Sequence, residues 1–180
     1  SSHRHSASAA CLTNPPLPSL PLFIEAEDFD FNGGQHLAEA DAMPYLGGAY
    51  NGLSATAEID YHDPGANENA AYRPPSQNVA TSGSSDLYRD GYSLANNYKV
   101  GWNDPGDWYN YTHVFPSPAR GYHVYARLSG ADSSIPNAIQ LDEVVSGAGT
   151  TNQTLSKIGE ARGPPSGSWD YFLIAPVLDS

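Results

Sequence analysis

A single cysteine, Cys11, excludes any internal disulfide. It stands in "SASAAC", which has the small-residue look of a processed leader end. No apolar h-region precedes it, so the expectation is a free thiol in an N-terminal arm. Cations are scarce as well: eight Lys and Arg face twenty Asp and Glu, for a net charge of -12. The eight do not cluster, so a phosphate backbone would be repelled and nucleic acid is not an expected partner. No apolar run approaches the length a bilayer requires, and no membrane partner is expected either. Catalytic signatures are missing too. There is no G-x-S-x-G elbow, no H-E-x-x-H and no Walker loop. Acids abound, but none lies in a run that suggests the apolar pocket a glycosidase acid needs. The expectation is a protein that is not an enzyme.

What the chain does have is 17 Gly, 15 Pro and 12 Tyr. Turn formers are spread throughout, which favours many short strands joined by loops. Residues 1–22 are Ser/Ala/His-rich and then Pro-rich ("TNPPLPSLPL") and read as an extended arm or linker. Residues 23–180 read as one all-β domain, with a long Gly/Ala-rich loop insertion at about 32–57.

Alternation predicts a strand over 22–31, with Phe23, Glu25 and Glu27 on one face. A short strand is predicted at 58–63, and mostly loop from there to 97. From 107 to 115 both faces carry bulk: Trp108, Asn110, Thr112 and Val114 on one, Tyr109, Tyr111, His113 and Phe115 on the other. We expect this strand to form a hairpin with 122–130, where Tyr122, Val124, Ala126 and Leu128 point inward, and Trp108 to be core. "NAIQLDEVVSG", "TLSKIGEA" and "SWDYFLIAPVLD" predict three more strands, with Pro176 favouring an edge or a strand end. The predicted architecture is a jelly-roll β-sandwich.

His62 and Asp63 are neighbours on a strand, so they point apart and make a poor catalytic dyad. Glu25 and Glu27 point the same way from their strand. Their charges repel unless a cation lies between them, and calcium accepts such carboxylates together with backbone carbonyls. On spacing alone a solvated strand face is the preferred reading.

Three segments occur in order: "FIEAEDFD", "DYHDPGANENAAYRP" and "NYKVGWNDPGDWYNYTHVFPSPARGYHVYARLSG". Together they resemble the signature segments of family 6 carbohydrate-binding modules, whose jelly-roll plan family 35 modules share. "TLSKIGEARGPPSGSWD" resembles the later family segment that ends in Gly-Gly-Trp. The resemblance covers about 23–180. It implies a structural calcium held by Glu25 and Glu27, with a backbone carbonyl near Arg73. It also implies a sugar cleft with one aromatic at Trp102 and a second at Trp169. Asn103, in the turn behind Trp102, is the expected polar partner. The physics agrees: indole planes cover the apolar face of a pyranose, and polar side chains take its hydroxyls.

Family members continue beyond the segment resembling "SWDYFLIAPVLD", so this chain is expected to lack the last strands of the roll. That leaves an open edge and an exposed core face. Arm 1–22 is a conceivable donor to a neighbouring subunit. Of two Asn-x-Thr sequons, Asn152 lies in a polar loop and is the better glycan acceptor, while Asn110 faces with Trp108.

The leading expectation is calcium-stabilised, non-catalytic binding of a polysaccharide or oligosaccharide by a module of a larger secreted or surface protein. The rivals are a structural subunit of an extracellular filament or multimer, self-associating through the N-terminal arm, and a small glycoside hydrolase.

Overall fold

The computed structural model describes residues 22–38, 47–65, 71–74, 79, 81–89, 92–115, 121–131 and 137–179. The expected arm, up to residue 21, lies outside them, as do residues 39–46 of the expected insertion. The described chain is all-β. It forms β1 (Tyr61–His62), β2 (Thr81–Gly83), β3 (Tyr88–Arg89), β4 (Tyr92–Ser93), β5 (Tyr98–Val100), β6 (Trp108–Tyr109), β7 (Tyr125–Gly130), β8 (Asn137–Ser146), β9 (Thr154–Gly163) and β10 (Ser168–Leu178). All named pairings are antiparallel: β1–β6, β2–β5, β3–β4, and a four-stranded sheet in the order β7-β10-β9-β8, curled like half a barrel.

Alternation shows in β7 and in the second half of β10, whereas the first five residues of β9 are exposed on both faces. On β7, Ala126 and Leu128 are half-buried while Tyr125 and Arg127 are exposed; Tyr122 and Val124, expected on the same inward face, are exposed ahead of the strand. Pairing carries that face across the sheet: Ala126 lies opposite Ala175, and Ile139 and Val177 both lie opposite Ala161. Ala161 and Ala175 are buried. Gly159 lies hard against the end of β10, since a Cβ there would lie 2.5 Å from the Leu178 carbonyl oxygen. Pro176, two residues from the end of β10, needs no N–H there, and Val177 N takes up the bonding by donating to Val124 O at 2.9 Å. Ile139, Leu155, Ile158, Ile174 and Leu178 of this sheet remain exposed.

The other half departs from its expected pattern. Residues 22–31 form no strand. A turn closes at Asp28 N→Glu25 O (3.0 Å), and only an isolated bridge joins Phe31 to Gln35. Acids there turn inward: Glu27, Asp28 and Asp30 are all buried, as is Asp60. The reason is local hydrogen bonding. Asp60 Oδ2 accepts Gly33 N (3.0 Å) and Thr56 N (2.6 Å), and its Oδ1 accepts Gly34 N. Asp30 accepts Thr112 N (2.8 Å) and Thr112 Oγ1 (2.7 Å). These carboxylates satisfy amides that a loop would otherwise bury unpaired. Asp60→Asn replaces a charged acceptor of three amides with one that turns N–H toward an N–H. It should cost about 2–3 kcal/mol in urea unfolding.

The expected hairpin of 107–115 with 122–130 does not form. β6 pairs with β1, β7 pairs with β10, and only Trp108–Tyr109 of the run is strand. The inward face is also the other one. Tyr109 and Tyr111 pack on the core of Phe29, Ala55, Tyr61 and Val79, with Tyr109 5.2 Å and Tyr61 5.8 Å from Phe29 between ring centroids. Trp108 is half-buried outside that core, parallel to the His62 ring at 6.3 Å, and Val114 and Phe115 are exposed. A run with bulk on both faces carries no parity signal, and tyrosines are the better core choice where buried carboxylates and carbonyls wait for hydroxyls. Tyr111 Oη donates to Ala26 O at 2.7 Å.

Candidate functional site

Two indoles are exposed. Trp102 follows β5 and is 60% exposed; Trp169 opens β10 and is 63% exposed. Lys99, on β5, ties that strand to the Trp169 segment: its Nζ donates to Trp169 O (3.1 Å) and Asp170 Oδ1 (3.0 Å). Ser129 Oγ also donates to Trp169 O (3.1 Å), and Ser84 Oγ to Asp170 Oδ1 (2.8 Å). The bonds from Ser84 and Lys99 hold the Asp170 carboxyl below its ordinary range. The backbone that presents Trp169 is therefore anchored while its ring is not covered.

Trp102 has φ = 55°, in the left-handed region that a bulky side chain avoids. The turn behind it closes through Asp104 N→Asp107 Oδ2 (2.7 Å) and Asp107 N→Asp104 O (3.1 Å). Asn103 is exposed, and the single proton of Tyr109 Oη faces two acceptors, Asn103 Oδ1 at 3.0 Å and Asp63 Oδ2 at 3.2 Å. Burial, then Asp63, push the Tyr109 phenol well above its ordinary range, so the hydroxyl keeps its proton. Asp63 is buried, and its Oδ1 accepts Gly65 N at 3.1 Å. The turn thus rests on a core tyrosine. Sequence reasoning missed Tyr109 and Asp63 here; the signal available was the polar tip that any core tyrosine must satisfy.

His62 and Asp63 engage different partners, as strand neighbours should. His62 Nδ1 lies 2.6 Å from Glu58 Oε1, on the side of Trp108. The amide of Asn110 is occupied, donating to Ile59 O (2.7 Å) and Gln153 Oε1 (2.9 Å).

Glu25 and Glu27 do not share a strand face. Glu25 sits at a turn beside the Arg89 guanidinium, 3.4 Å from Nη2. Glu27 is 1% exposed, and its Oε1 has no hydrogen-bond partner. Burial first, then the neighbouring Glu25 and Asp28, push its carboxyl up to about 9. Burial also raises Asp30. This corrects the expectation that no acid lies where its affinity for protons rises. Arg73 arrives with its side chain: Nε donates to Glu27 O (3.1 Å), Nη1 to Leu53 O (3.0 Å) and Nη2 to Phe29 O, while the guanidinium lies 4.0 Å over the Phe29 ring. An orphaned buried carboxylate oxygen flanked by two like charges fits a hard cation. Among the described residues no three acidic, His or Cys side chains cluster as a metal cage, so carbonyls would have to complete the shell.

Comparison of the chain with protein-family models, with curated proteins and with solved structures finds no match.

Proposed function

We propose that the chain is a non-catalytic carbohydrate-binding module of the jelly-roll type, extracellular and part of a larger protein. Trp102 and Trp169 are its sugar-stacking surfaces, and Asn103 is a polar contact. The observation that carries this reading is Trp102: a large apolar ring is held in solvent on left-handed backbone, over a turn anchored to the core. Folding alone gains nothing from that arrangement, whereas a pyranose face would cover the ring. In affinity electrophoresis over a panel of polysaccharides, the wild-type chain should be retarded by at least one. Trp102→Ala and Trp169→Ala should each weaken that retardation about tenfold or more. A wild-type chain that no polymer slows sinks the proposal.

The same reading assigns a structural calcium to Glu25 and Glu27. Its support is the orphaned Glu27 oxygen. In that reading a backbone carbonyl near Arg73 completes the site, while the Arg73 side chain, bonded to the Glu27 carbonyl, positions the segment.

Self-association is the second reading, and the exposed apolar residues of β8, β9 and β10 favour it. Sedimentation velocity tests it: a monomer at all concentrations counts against it.

A further inference from the structure

We infer that Asn152 is an N-linked glycan acceptor in the exported chain and that Asn110, the other sequon asparagine, is not. This rests on the extracellular placement proposed above and is independent of sugar binding. Asn110-Tyr-Thr112 and Asn152-Gln-Thr154 both satisfy the sequence rule. What separates them is how their side chains are already engaged.

N-glycosylation replaces one of the two hydrogens on the asparagine amide nitrogen with a sugar. At Asn110 both hydrogens are in use: Nδ2 donates to Ile59 O (2.7 Å) and to Gln153 Oε1 (2.9 Å). The hydroxyl of the same sequon is taken as well, since Thr112 Oγ1 donates to Asp30 Oδ2 at 2.7 Å. The Asn110 backbone is held on both sides: its N donates to Asp60 O and its O accepts Asp30 N, each at 2.8 Å. A sugar on Asn110 forfeits at least one of the amide's bonds and needs room in a half-buried site. It is incompatible with this fold.

Asn152 lies in the loop 147–153 between β8 and β9. Gly147 opens that loop at φ = 76°, and a Cβ there would collide with the Asn152 carbonyl oxygen, so the turn closes tightly on the Asn152 backbone. Asn152 N donates to Thr150 Oγ1 at 3.1 Å. Gln153 is the inward anchor: its Nε2 donates to Ile59 O (3.0 Å) while its Oε1 accepts from Asn110. The residues on either side of it, Asn152 and Thr154, are both exposed. The amide and the hydroxyl that a transferase reads together thus stand in solvent, and the contact that occupies Asn110 is the one that presents Asn152.

The reaction is a group transfer. The Asn152 amide nitrogen attacks the anomeric carbon of a polyprenyl-diphosphate oligosaccharide. A C–N bond forms, the bond from that carbon to the diphosphate oxygen breaks, the polyprenyl diphosphate leaves, and the displaced amide proton passes through the transferase to solvent.

The test expresses the chain, fused to a secretion signal, in a eukaryotic host. The secreted protein should lose the mass of one glycan on treatment with peptide N-glycosidase. Peptide mass spectrometry should place the resulting asparagine-to-aspartate conversion at residue 152, with Asn110 intact. Copies modified at Asn110 should be confined to the retained, intracellular fraction. Asn152→Gln and Thr154→Val change exposed positions and should each abolish the glycan, whereas Thr154→Ser should keep it. A secreted chain with Asn152 unmodified overturns the inference, and so does a glycan on Asn110 in secreted, folded protein; both leave the extracellular placement standing. Failure of the wild type and of the Asn152→Gln chain alike to leave the cell overturns that placement, and the inference with it.

Discussion

Arg73→Met should destabilise the chain by about 3–5 kcal/mol, the largest effect we expect from one substitution. Methionine matches the length of the arginine stem but none of its donors. The guanidinium donates to the carbonyls of Glu27, Leu53 and Phe29 and covers the Phe29 ring. All three carbonyls belong to segments without regular structure, so they have no strand partner to fall back on. Together with Arg89, Arg73 also supplies positive charge to a region that buries Glu27, Asp28 and Asp30. Burial lowers its own proton affinity, yet a guanidinium has so much to spare that it stays charged. The measurement is urea unfolding followed by tryptophan fluorescence. A loss below about 1 kcal/mol would mean that the carbonyls find other partners and that Arg73 does not organise this half.

The second large effect concerns Glu27. Its ordinary value is 4.5, and burial, with Glu25 and Asp28 beside it, pushes it up to about 9 in the folded chain. Between those values the folded state holds a proton that the unfolded state has released. Stability without a cation should therefore fall as pH rises through that window. Calcium reverses the argument, because it stabilises the carboxylate and the fold that holds it. Glu27→Gln should raise Tm in chelator at pH 8, by the equivalent of about 2 kcal/mol, and should abolish the rise in Tm that calcium gives the wild type. Calorimetry of both proteins, with calcium and with chelator, measures this. A wild-type Tm that ignores calcium removes the metal assignment while leaving the buried acid to explain the pH dependence.

Legibility differed between the two halves for a physical reason. β8, β9 and β10 carry ten or eleven residues each, and β7 six, so alternation has room to show. Ala126 and Leu128 of β7 were readable in that way. Residues 22–31 alternate too, but the rule assumes that acids face water. Here Asp30 and Asp60 face backbone amides, and a capped buried carboxylate looks in sequence like a solvated one. The predicted face of Glu25 and Glu27 failed for the same reason. Partner choice failed at 107–115 because nearness along the chain favoured the hairpin with 122–130. The structure pairs Trp108 with His62 instead, across a separation no local pattern reports. At the candidate site the exposure of Trp102 was legible from the Asn-Asp-Pro-Gly turn behind it. The hydroxyl of Tyr109 beneath was not, since that contact depends on β1 bringing Asp63 alongside β6.

The central claim is that sugar lies on the exposed indoles. Acrylamide quenching of tryptophan fluorescence tests it most directly, in the presence and absence of a polysaccharide that retards the wild-type chain. Trp102 and Trp169 are open to the quencher, while Trp108 is half-buried. Bound polysaccharide should lower the quenching constant, and Trp102→Phe should lose much of that protection. Full quenching with the polymer bound would place the contact elsewhere and contradict the account.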